Sequence, residues 1–70
     1  MGIFVLDMDG KSAEEIARNF LSQNYSVIRT EKSKRIDQTW IVEVLVSSFD
    51  NKTVKKVKID NKTGYVIGIE

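Results

Sequence analysis

Two carboxylates, Asp7 and Asp9, stand two residues apart at the end of the run Ile3-Phe4-Val5-Leu6-Asp7-Met8-Asp9-Gly10. On an extended chain, residues at i and i+2 point to the same side, so both acids address one site. Glu14 and Glu15 follow closely and could add oxygens, which makes a weak divalent-cation site one reading of this segment. An EF-hand is excluded by context. Its loop needs ligands through the twelfth position and a helix on both sides, and here a strand-like run comes first. The simpler reading is a strand-to-helix turn, because Asp and Gly are ordinary turn residues. The chain has no histidine and no cysteine. The commonest general base, the commonest metal ligand, thiolate zinc sites and disulfides are therefore all missing. No serine is spaced to pair with a base. The expectation is a non-enzymatic chain with no catalytic residue, no metal ligand set and no cofactor.

The apolar run ending in Asp7-Met8-Asp9-Gly10 resembles the first motif of haloacid-dehalogenase-type phosphatases. That resemblance implies a nucleophile at Asp7, an acid/base at Asp9 and magnesium nearby. The family's threonine after the glycine is Lys11 here, and 70 residues leave no room for the downstream lysine and acidic metal ligands. The motif is judged a decoy, and metal-dependent phosphoryl transfer ranks last among the functional readings.

The second group of chemistry-bearing residues is basic: Arg29, Lys32, Lys34 and Arg35, then Lys52, Lys55, Lys56, Lys58 and Lys62. With Trp40 and Tyr65 they suggest a small nucleic-acid-binding protein using lysine-rich strands. The alternative is a solvated sheet face, where lysines also blunt edges against aggregation. The net charge of only +1 gives no global attraction to nucleic acid or anionic membrane, so both are disfavoured as partners. Asn51-Lys52-Thr53 and Asn61-Lys62-Thr63 both match the glycosylation acceptor pattern, but each Asn is better explained by a turn. The two copies of Asp-Asn-Lys-Thr read as one good turn sequence used at both ends of one strand.

The elements that must position these residues fit one small domain spanning 1–70. Gly2 to Leu6 reads as a short opening strand. Ser12-Ala13-Glu14-Glu15 fits a capping box, with Ser12 as N-cap. Ala13, Ile16, Ala17, Phe20 and Leu21 form one helical stripe, predicting a helix over about Ala13 to Gln23. Asn24 is expected to close it in a left-handed conformation. Tyr25 to Arg35 reads as a strand that leaves the core for solvent. Ile36 to Thr39 turns the chain. Trp40 to Val46 is the strongest strand, with Trp40, Val42, Val44 and Val46 on one face and Ile41, Glu43 and Leu45 on the other. Ser47 to Lys52 turns again. Thr53 to Asp60 follows, and its phase break at Val54-Lys55-Lys56-Val57 suggests a bulge. Asp60-Asn61-Lys62-Thr63-Gly64 is a tight turn in which Gly64 takes positive φ, and Tyr65, Ile67 and Ile69 alternate after it.

The helix start Ser12 to Ala17, the strand Trp40 to Val44 and the hairpin Val57 to Ile67 together resemble the PepSY domain family, over about residues 11–70. The resemblance implies a helix packed on an antiparallel sheet, related to half a cystatin fold, with a non-enzymatic role in binding peptidases or in regulation. The fold expected is α+β: one helix on an antiparallel sheet of four to five strands, in the order β-α-β-β-β-β. The predicted core is Ile16, Ala17, Phe20 and Leu21 against Trp40, Val42 and Val44, with Val27, Val57, Ile59 and Ile67. One helix covers part of one sheet face and none of the other. Ile41 and Leu45 therefore mark an interaction face, expected to bind a second copy in a homodimer or a protein partner. With no signal-like start and no apolar run near ~20 residues, the expected location is the cytoplasm.

Overall fold

The computed structural model describes residues 9–70. The opening strand expected at Gly2 to Leu6, and with it a fifth strand, lies outside the described residues. Within them the class is α+β: one helix, α1 (Gly10–Leu21), precedes four strands. These are β1 (Ser26–Ile36), β2 (Thr39–Ser48), β3 (Asn51–Asp60) and β4 (Val66–Ile69). They form one antiparallel meander in the order β1-β2-β3-β4.

The helix begins three residues earlier than the capping-box pattern predicts. Asp9, not Ser12, is the N-cap; its Oδ1 accepts the backbone N–H of Ser12 at 2.9 Å. Asp is at least as good a cap as Ser, and choosing it gains a further turn of helix. The other end is also earlier. Ser22 caps α1 in a right-handed conformation, and the backbone N–H groups of Asn24 and Tyr25 close onto the Leu21 carbonyl. Asn24 therefore needs no positive φ.

Alternation on β2 sets the two faces of the sheet. Val42, Val44 and Val46 are fully buried, and they meet Ala13, Ala17 and Leu21 of α1 together with Val57 and Ile59 of β3. The buried line on the helix is thus Ala13-Ala17-Leu21, at steps of four. Ile16 and Phe20, predicted as core, pack beside it and stay partly open. Alanine in the line of closest approach lets the helix backbone settle onto the valines.

Two further expectations are corrected by register. β3 carries no bulge against β2: Leu45 faces Val54, Val44 faces Lys55 and Val42 faces Val57 without a break. The apparent phase break arises because Val54 belongs to the open face, while Lys55 lies on the helix face with its Nζ 5.5 Å from the Tyr25 ring centroid. The irregularities fall instead on β1, at Val27/Arg29 and Thr30/Lys32. A third is at Lys58/Ile59, where Ile59 faces Val66 and Lys58 faces Gly68. Ile67 is the extra residue there, so it leaves the predicted core and stands 59% exposed, while Val66 packs inward. A bulge shifts side-chain parity by one, which no alternation rule anticipates.

The β3–β4 turn follows its predicted chemistry. Gly64 has φ 77°, and its N–H donates to the Asp60 carbonyl at 2.9 Å. Asp60 Oδ2 accepts the Thr63 N–H at 2.8 Å, the Thr63 hydroxyl at 2.9 Å and the Lys62 N–H at 3.2 Å. The Thr63 N–H, then its hydroxyl, hold the Asp60 carboxyl below the usual carboxylate range. Asp9 is lowered in the same way, chiefly by the Ser12 N–H. In the unfolded chain these acids take up protons first as pH falls. Their contribution to stability is therefore complete above the ordinary Asp range and lost as pH drops through the lower folded values. Thermal melts from neutral to strongly acid pH are expected to show stability falling below the ordinary Asp pKa of about 3.9. Asp60→Asn should make that fall shallower. An unchanged slope in the variant would remove Asp60 from the account.

Candidate functional site

The face of the sheet turned away from α1 is built in rows by the register of the strands. One row runs Lys34–Ile41–Lys58–Gly68, and the next runs Lys32–Glu43–Lys56. Lys56 in turn exchanges both backbone hydrogen bonds with Glu70. A third row is Arg29–Leu45–Val54. Lysines two residues apart on one strand lie roughly 7 Å apart, and those flanking β2 lie roughly 10 Å apart. The result is a frame of cations around a central aliphatic and acidic strip. Ile41, Glu43 and Leu45 are half-buried and Val54 is 43% exposed.

Two ion pairs lie at the margins of this face. Arg29 Nε meets Glu31 Oε2 at 2.8 Å, and Lys58 Nζ meets Glu70 Oε2 at 2.9 Å. The Lys58 ammonium, by hydrogen bond and charge, holds the Glu70 carboxyl below its usual range. Both pairs are well exposed and add little to stability. Among the described residues, Lys32, Lys34, Lys52 and Lys56 form no ion pair, and neither does Glu43.

Ile41 and Leu45, the residues predicted to mark the interaction face, thus sit together on one side of β2. The remaining sequence candidates separate. Asp7 lies outside the described residues. Asp9 caps α1, and Glu14 Oε2 accepts the Ser33 hydroxyl at 3.0 Å. No cluster of metal-ligating side chains and no enclosed pocket occurs among the described residues.

The two aromatic candidates separate: Tyr65 pairs with Asp60 at the edge of the lysine face, and Trp40 does not join it. Trp40 lies on the helix face, its ring edge against Gly10, where an added Cβ would meet it at 3.5 Å. Its Nε1–H donates to Asn61 Oδ1 at 2.9 Å. Asn61 is fully buried, and its own N–H donates to the Gln38 carbonyl at 2.8 Å. This latch between two turns was missed by sequence reasoning, which gave Asn61 only a local turn role. The hint available was the spacing of Asn61 from Trp40 at the far end of a paired strand. Tyr65 lies in the β3–β4 connection, 73% exposed. Phe49 stands at the β2–β3 turn with φ 57° and is 98% exposed. It covers nothing.

No protein-family model matches this chain. No curated protein and no solved structure matches it at a significant level. No helix among the described residues is long and apolar enough to cross a membrane.

Proposed function

We propose that this chain is a non-enzymatic protein-binding or regulatory module whose recognition surface is the open sheet face, centred on Ile41 and Leu45. The observation that carries this reading is the placement of two large aliphatics, half-buried, on a face that no described element covers. Apolar side chains gathered on an open sheet favour a protein surface as their partner. The PepSY-like pattern of Trp-led strand and Asp-x-x-Thr-Gly hairpin is compatible with such a role. The partner is either a second copy in a symmetric dimer or a different protein.

The test combines sedimentation equilibrium with affinity capture, using the wild-type chain and the double variant Ile41→Lys, Leu45→Lys. A dimer mass, or a captured protein, that disappears in the folded double variant supports the reading. A wild-type monomer at every concentration that captures the same proteins as the variant ends it.

A nucleic-acid reading draws on the same face, because Lys32, Lys34, Lys56 and Lys58 converge there. Single-strand binders add aromatic platforms to such grooves. This face has Glu43 at its centre and a single ring, Tyr65, which pairs with Asp60 at its edge beside the turn.

A further inference from the structure

The open face carries more positive charge than the chain as a whole. Its two ion pairs neutralise Arg29 and Lys58 locally. What remains is Lys32, Lys34, Lys52 and Lys56 against the single carboxylate of Glu43. That is a surplus of three charges on a chain whose net charge is +1. Away from this face the described charges nearly balance: Lys11, Arg18, Arg35, Lys55 and Lys62 stand with Asp9, Glu14, Glu15, Asp37, Asp50 and Asp60. The chain's positive surplus is therefore concentrated on the open face.

That concentration of positive charge selects among occupants. A second copy would set two positive faces against each other, and like-charge juxtaposition costs several kcal/mol. A nucleic acid would meet Glu43 in the middle of its path and find no row of stacking rings, only Tyr65 at the edge by the turn. An acidic protein segment meets neither difficulty. Its carboxylates pair with the frame, and its aliphatic side chains meet the central strip. Resting on the open-face reading above, we infer that this surface docks an acidic, aliphatic segment of another protein. Its carboxylates lie over Lys32, Lys34 and Lys56, and its apolar side chains lie on Ile41, Leu45 and Val54. Glu43 acts as a discriminator, disfavouring a uniformly anionic polymer that cannot leave a gap opposite it.

The experiment titrates three probes into isotope-labelled protein and maps the amide shifts by NMR. The first is a synthetic peptide alternating glutamate with leucine or valine. The second is its lysine counterpart, and the third is oligothymidylate of equal length. The acidic peptide is expected to bind with shifts confined to β1, β2 and β3. Lys34→Glu with Lys56→Glu should weaken it by about tenfold or more, and Lys11→Glu, on the helix, by less than about twofold. Glu43→Gln should narrow the preference for the peptide over oligothymidylate. Thermal melts confirm that each variant is folded, since all these changes are at the surface.

Equal binding of the lysine peptide, shifts centred on α1, or tighter binding of oligothymidylate would each overturn the inference. So would failure of the acidic peptide to bind while a captured protein is still lost on Ile41→Lys, Leu45→Lys. That last outcome would leave the open-face reading intact and remove only the acidic chemistry. If both measurements are silent, the open-face reading falls as well.

Discussion

Trp40→Ala is expected to destabilise the domain by about 3 kcal/mol, at the lower end of the range for truncating a large core aromatic. The lower end applies because Trp40 is only partly buried. Two losses combine. The ring no longer covers the start of α1 at Gly10, and Asn61 Oδ1 loses its donor inside a fully buried site. A buried acceptor left without a partner costs about 1–3 kcal/mol on its own. Trp40→Phe separates the two, since it keeps most of the ring and removes only the N–H. A double-mutant cycle with Asn61→Ala should show coupling of the order of 1 kcal/mol. In a domain with about 5–15 kcal/mol of total stability, the alanine change removes a large share. Urea unfolding monitored by circular dichroism reads it directly. A Trp40→Ala midpoint within error of the wild type would mean that the ring holds nothing in place.

Leu21→Ala is the second large effect, at about 3 kcal/mol in the same assay. Leu21 closes α1, is 1% exposed and is the largest fully buried side chain among the described residues. Its removal leaves a void beneath the turn where Asn24 and Tyr25 fold back onto its carbonyl. Ile16→Ala, at a site the sequence pattern ranks equally, should cost clearly less, because Ile16 flanks the buried line. The comparison is the sharper test. If Ile16→Ala is the more damaging change, α1 is rotated about its axis away from the Ala13-Ala17-Leu21 line.

Those two residues show what was legible in the sequence and what was not. The apolar stripe located the helix, and alternation on Trp40 to Val46 assigned every β2 residue to its face, including Ile41 and Leu45. The turn residues Asp60 to Gly64 announced their geometry because their side chains act locally. Rotation of the helix within its stripe was not legible. It depends on how closely alanine lets two backbones approach, a property of the pair of surfaces. The exposure of Ile67 was hidden for a related reason, since a bulge is a fact about two strands and leaves little trace in one. The burial of Asn61 was hidden because its partners, Trp40 and Gln38, are over twenty residues away. Of the candidate site, the aliphatic centre was readable from one strand. The cation frame required the register of three.

The order of elements bears on how the chain comes off the ribosome. Of these elements the helix is made before the strands, and the Val57 and Ile59 that complete its cluster come only with β3. About 40 residues separate Leu21 from Ile59, several seconds of synthesis at bacterial or eukaryotic rates of roughly 5–20 residues per second. A helix of twelve residues is marginal alone in water. The meander, by contrast, joins each strand to the one just before it and can form hairpin by hairpin on a microsecond scale. Synthesis therefore outlasts hairpin formation, and the docking of α1 waits on β3. Until then its apolar stripe is open to whatever binds nascent chains.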